Sequence, residues 1–247
     1  MSGHSKWANI KHKKAKGDAA RSNTFTKIGR ELAIAVKTGG ADPTANSRLR
    51  DAIAKAKANN MPNDNIMRSI KKASGEGENI NYEDMTYEGY GVGGVAFIVE
   101  ALTDNKNRTA GDVRHIFDKY GGSLGSTGCV SYLFNKRGVI VVSRSDISED
   151  DLMMLAIDAG ADDILTDDDE VFEIYTLPQD LGKVREVLEA AKITPLSAEI
   201  DMIAISEVTP TDQQAETLQK MIDKLDELDD VQNVFHNAIL PDEVEVE

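Results

Sequence analysis

Large apolar residues recur at helical spacing from Phe25 through Ile28, Leu32 and Val36, with Ser22 or Thr24 available as a cap and Gly39-Gly40 as a stop. This predicts a first helix. A second is expected from about Pro43 to Asn59, with Leu49, Ala52, Ile53 and Ala56 on one face. At about 100° per residue, Arg48 and Lys55 flank that face on one side, and Arg50 and Lys57 on the other. A third starts near Pro62 and carries Ile66 and Ile70 before Lys71-Lys72 and the Gly75-Glu76-Gly77 break. Three short helices make a small N-terminal domain.

Beyond that break the rhythm is mixed. Residues 94–102 read as a strand, 109–119 as a helix ended by Gly121-Gly122, and 129–134 as a strand. Then 138–142 (strand), 148–159 (helix), 164–166 with 171–177 (hairpin), 179–191 (helix) and 197–205 (strand) follow in the order β-α-β-β-α-β, which is ferredoxin-like. The tail offers an amphipathic helix at 211–228 and a strand at 231–237 with no local partner. The economical solution is that it returns to complete the β-α-β begun at Gly94. The expected class is α+β. It has a basic arm and helical domain at 1–78, a split α/β middle domain at 79–134 and 207–247, and an inserted ferredoxin-like domain at 135–206.

Charge sharpens this division. The 247 residues carry 28 Lys and Arg against 43 Asp and Glu, a net of -15 that taken alone argues against an anionic partner. Residues 1–75, however, hold 16 basic and 5 acidic residues (+11), and the remainder holds 12 and 38 (-26). A basic head on an acidic body points to nucleic acid. Within residues 1–20, Lys6, Lys11, Lys13, Lys14 and Lys16 accompany only two large apolar groups, Trp7 and Ile10. Such a segment cannot offset its ordering entropy, so a mobile arm is expected, ordered only with a partner. Trp7 either stacks on bases or packs with Ile10 on the helical domain.

Other chemistry finds little support. Gly89-Tyr-Gly-Val-Gly-Gly94 satisfies G-x-G-x-x-G, but it precedes a strand where a dinucleotide fingerprint follows one and opens a helix, so it reads as a structural turn. His4, His12, His115 and His236 fall at no ligand spacing, and Asp167-Asp-Asp-Glu170 lacks the alternating oxygens of a calcium loop. That acidic run is expected to solvate a hairpin turn. No catalytic motif appears, and no cofactor, metal or small-molecule substrate is expected. Cys129 has no second thiol to pair with, and no apolar run, 95–99 included, is long enough to span a bilayer. These point to a cytoplasmic protein with no membrane partner. In 103–109, Thr109 and Asp112 resemble a capping box, while Asn105, Lys106, Asn107 and Arg108 could contact phosphates or bases. With one Trp, six Tyr and six Phe, the chain is a poor candidate for an RNA-stacking sheet.

The stretches Gly3-His-Ser-Lys-Trp-Ala-Asn-Ile-Lys-His-Lys-Lys-Ala-Lys16, Phe25-Thr-Lys, Gly39-Gly-Ala-Asp-Pro43, Arg48-Leu-Arg, Asn60-Met-Pro, Tyr87-Glu-Gly-Tyr-Gly, Leu102-Thr-Asp-Asn-Lys-Asn-Arg-Thr109 and Val113-Arg-His resemble the YebC/PmpR family along nearly the whole chain. The resemblance implies three domains in the arrangement above, a cytoplasmic location and no catalytic activity. It implies either a transcriptional regulator at promoter DNA or a ribosome-associated factor that relieves stalling at proline-rich stretches. Two departures stand out. Ala20-Arg-Ser-Asn23 replaces the family's common Lys-Arg-Gly-Lys, which removes two positive charges, and Val92 replaces a proline.

The residues together predict a non-enzymatic, nucleic-acid-binding regulator of gene expression. The expected contacts are Lys6, Trp7, Lys11, Lys13, Lys14, Lys16, Arg21, Lys27, Arg30, Arg48, Arg50, Lys55, Lys57, Asn105, Lys106 and Arg108. The partner is promoter DNA or ribosomal RNA. The second helix flanks an alanine-rich face with charge, which suits phosphates better than base edges. An acidic scaffold acting through protein partners is the alternative of a different class.

Overall fold

The computed structural model describes residues 7, 10, 11, 18–75 and 81–241. It is α+β and divides into two compact units, one of residues 1–15 with 135–203 and one of 16–134 with 204–247.

In the larger unit, three helices, α1 (Asp18–Gly39), α2 (Ser47–Ala58) and α3 (Asn63–Ser74), enclose Ile28, Leu32, Leu49, Ala52, Ile66 and Ile70. The first helix starts earlier than expected. Ala19 and Ala20 are good helix formers, so Ser22 and Thr24 lie inside α1, and Thr26 Oγ1 donates back to the Ser22 carbonyl. The second starts later than Pro43, because Asn46 caps it, its Oδ1 accepting the Leu49 N–H at 3.0 Å.

The same unit carries a four-stranded antiparallel sheet in the order β3 (Ser123–Leu124), β1 (Glu83–Tyr90), β2 (Ala96–Thr103), β8 (Val231–His236). The C-terminal strand β8 pairs with β2, with Ile98 opposite Phe235 and Phe97 opposite His236. Helices α4 (Lys106–Lys119) and α7 (Asp212–Asp226) cover one face, closing a core of Val95, Phe97, Val99, Val113, Phe117, Leu218 and Met221. Phe97 and Phe117 meet edge to face at 5.9 Å. The G-x-G-x-x-G run is the turn between β1 and β2, tied by Gly91 N–H to the Val95 carbonyl at 2.8 Å. It opens no helix long enough to hold a pyrophosphate. A Cβ on Gly89 would stand 2.4 Å from the Ser123 carbonyl oxygen, so the glycine is there for strand packing.

Residues 129–134 do not form the expected strand. A 3-10 turn occupies Ser131–Leu133, because the Glu88 carboxylate takes the N–H groups of Gly128 (2.8 Å), Val130 (2.9 Å) and Ser131 (2.9 Å) that a ladder would otherwise need. Burial opposes the Glu88 charge, but these donors outweigh it and hold its pKa below the ordinary value.

The smaller unit contains β4 (Phe134–Ser143), α5 (Glu149–Ala159), β5 (Ala161–Leu165), β6 (Val171–Thr176), α6 (Leu181–Ala190) and β7 (Ser197–Ala204). Its sheet runs β5-β6-β4-β7, the ferredoxin-like order. Ile140, Val142, Phe172 and Ile174 on one face pack against Leu152, Ala156, Val184 and Leu188 of the helices.

Candidate nucleic-acid interface

Each basic residue must be located with its neighbours, because a cation already satisfied by a carboxylate offers little to a phosphate. Lys6, Lys13, Lys14 and Lys16 lie outside the described residues, as does the side chain of Arg21; the expectation of a mobile arm falls mostly on the same segment. Trp7 and Lys11 are described and lie with the smaller unit, not on the helical domain. The Trp7 backbone N–H donates to Glu173 Oε1 at 3.0 Å and its indole Nε1–H to Glu170 Oε2 at 2.8 Å.

On α1, Lys27 Nζ donates to the Asp226 carbonyl at 2.6 Å, capping the end of α7 rather than facing solvent. Arg30 donates to Asp230 Oδ1 and lies 3.4 Å from the Leu102 carbonyl. On α2, Arg48 forms a two-pronged pair with Asp84 at 2.9 and 3.2 Å, and Lys55 reaches Glu31 at 3.3 Å. Arg50 and Lys57, seven residues apart and therefore on one face, are exposed.

The polar stretch 103–109 caps and opens α4. Asn105, not Thr109, caps the helix, its Oδ1 accepting the Arg108 N–H at 3.1 Å, so α4 begins three residues earlier than expected. Thr109 is buried and donates to Asp230 Oδ2 at 2.7 Å. Lys106 pairs with Glu83 at 2.6 Å, and Arg108 bridges Asp104 (2.8 Å) and Asp230 (2.7 Å). Asp230 thus collects Arg30, Arg108, Thr103 and Thr109 around one buried carboxylate at a cleft of about 310 Å³. Burial pushes the Asp230 pKa up, but hydrogen bonds from Arg108, Thr109 and Arg30 prevail and hold it below the ordinary aspartate value. The same two carboxylates raise the pKa of Arg108. Asp104, Asp112, Asp229 and Asp230 at this cleft outnumber its two arginines, so it is poorly suited to an anion.

Further exposed cations lie elsewhere in the helical domain. Arg68, Lys71 and Lys72 on α3 are exposed at i, i+3, i+4 spacing and form one stripe. Among the described residues no carboxylate pairs with Lys57, Arg68 or Lys71. This stripe was absent from the expected contacts, though it was readable as the polar side of the helix defined by Ile66 and Ile70. Among the described residues no cluster of His, Cys, Asp and Glu could hold a metal, and no helix is long and apolar enough to cross a membrane.

Residues 5–76 match the model of the TACO1/YebC protein N-terminal domain, and 82–238 match that of the TACO1/YebC second and third domain. The chain belongs to the TACO1/YebC family. A relative from Acetivibrio thermocellus, named a probable transcriptional regulatory protein, is 62% identical over 96% of this chain and 98% of its own. One of the same name from Clostridium tetani is 58% identical over 99% of this chain and 100% of its own. The crystal structure of a conserved hypothetical protein from Aquifex aeolicus superposes with a TM-score of 0.83 at 45% identity, covering 94% of this chain and 96% of that one. The two family models meet between 76 and 82, the segment that separates α3 from β1.

Proposed function

We propose that this TACO1/YebC-family protein regulates gene expression, without catalysis, by binding nucleic acid through its phosphate backbone. The observation that carries this reading is the exposed basic surface of α2 and α3, Arg50, Lys57, Arg68, Lys71 and Lys72, on a chain that is otherwise strongly acidic. Cations on the flanks of helices suit phosphates better than base edges. The names of the relatives favour transcription and therefore promoter DNA. Ribosomal RNA, on the ribosome, is the second reading, favoured because contacts of this kind carry no base sequence and suit a folded RNA equally well.

The test is a salt titration of binding to promoter duplex DNA and to ribosomal RNA by the wild type and an Arg68→Gln, Lys71→Gln, Lys72→Gln variant. Each lost phosphate contact reduces the slope of log K against log salt by about 0.9 on duplex DNA or about 0.7 on single strands. The expected reduction is about two to three units on the physiological partner. An unchanged slope on both nucleic acids, with the variant still folded, refutes the assignment of α3.

A further inference from the structure

The acidic run Asp167-Asp-Asp-Glu170 forms the turn between β5 and β6. Asp168 organises it by accepting the N–H groups of Glu170 (2.8 Å) and Val171 (3.2 Å), which leaves Asp167, Asp169 and Glu170 projecting outward. A solvated turn needs nothing more, yet Glu170 is engaged. Its carboxylate accepts the Trp7 indole N–H and pairs with Lys11 Nζ at 3.5 Å, while that ammonium sits 5.6 Å from the Trp7 ring centroid.

A second contact lies beside it on the sheet. Strand alternation places Phe172 and Ile174 under the helices, so Glu173 belongs to the opposite face, together with Val139, Val141 and Val171. Glu173 is 3% exposed, takes the Trp7 backbone N–H, and receives the Tyr175 hydroxyl at 2.8 Å. The acidic unit therefore holds the described part of the basic arm by three charge-assisted contacts, all to anionic oxygens of the kind a phosphate would present.

Resting on the nucleic-acid reading above, we propose that the 167–170 turn and Glu173 form an intramolecular receptor for the N-terminal arm, and that nucleic acid must displace it. The receptor keeps the arm from engaging anions indiscriminately and makes binding the release of a latch. A latch closed nine-tenths of the time lowers the apparent affinity about tenfold.

Trp7 is the only tryptophan of the chain, so its fluorescence reports on the latch directly. Glu170 has an exposed side chain, and Glu170→Gln leaves the core untouched. Asp169→Asn removes the same charge one residue away and serves as the control. In the full-length protein, Glu170→Gln is expected to increase quenching of Trp7 by acrylamide and to tighten binding to ribosomal RNA or to a mixed-sequence DNA duplex roughly three- to tenfold. Asp169→Asn should change either quantity less than about twofold, since among the described residues its carboxylate pairs with neither Trp7 nor Lys11. Unchanged quenching, unchanged affinity, or equal tightening in the two variants overturns the proposal. If none of the proteins binds either nucleic acid, the nucleic-acid reading itself fails and the competition with it, whereas binding that is the same in wild type and Glu170→Gln sinks the latch alone.

Discussion

Replacing Asp230 by Asn keeps the volume of the side chain, removes its charge, and turns part of it into a donor facing two guanidinium groups. Removing one partner of a buried ion pair typically costs about 3–5 kcal/mol when the other is left uncompensated. Here compensation is partial: Arg108 retains Asp104 and has a side chain 45% exposed, whereas Arg30, 17% exposed, keeps the Leu102 carbonyl and the face of Tyr82. The expected loss is therefore about 2–3 kcal/mol, or roughly 5–10 °C in the melting temperature of a unit of this size. Scanning calorimetry is the suitable assay, because it separates transitions of different units where a single-probe melt assumes one. The folded pKa of Asp230 is depressed, so its contribution is fully present above the unfolded value of about 3.9 and is lost as pH falls through the folded value. The gap between wild type and variant should be widest near neutral pH and close in acid. A loss under about 2 °C at neutral pH, or a gap unchanged on acidification while both proteins remain folded, refutes this account of the cluster.

Glu88→Ala should release residues 128–131. Losing a carboxylate that satisfies three N–H groups, with water able to replace it at the more exposed ones, costs about 2 kcal/mol, which speeds amide exchange there roughly thirtyfold; unchanged protection would show that the loop holds without Glu88. Gly89→Ala and Gly111→Ala should move stability in opposite directions. The first drives a Cβ against the Ser123 backbone and costs about 1–3 kcal/mol, while the second has nothing within 4 Å and stabilises α4 by roughly 0.5–1 kcal/mol, as denaturant titration would measure.

Periodicity identified the helices and the order of the inserted strands because each buries one face in a local core, and burial of that kind is written at regular spacing. Strand β1 escaped it. Its sequence, Glu-Asp-Met-Thr-Tyr-Glu-Gly-Tyr, is polar enough to look like a loop, and it is a strand because β2 and β3 pair on either side. The opposite error at 129–134 has the same origin: an apolar stretch with strand composition becomes a turn when a carboxylate 40 residues away in sequence takes its donors. The 3-10 turn and the early start of α4 both follow from hydrogen-bond acceptors, Glu88 and Asn105, whose effect depends on what faces them.

The charge reading divides along similar lines. The basic head is a sum over residues, and a sum does not show which cations are already paired. Arg30 and Arg108 read as free cations until Asp230, more than 120 residues further on, is found between them. Arg48 meets Asp84 and Lys106 meets Glu83, so the acidic start of β1 neutralises cations from two different helices. The stripe on α3 is exposed for a local reason. Ile66 and Ile70 turn inward, which rotates Arg68, Lys71 and Lys72 onto the far side of the helix. Among the described residues, the folded protein therefore pairs part of its positive charge with carboxylates, Arg30 with Asp230 and Arg48 with Asp84, and leaves another part exposed on α2 and α3.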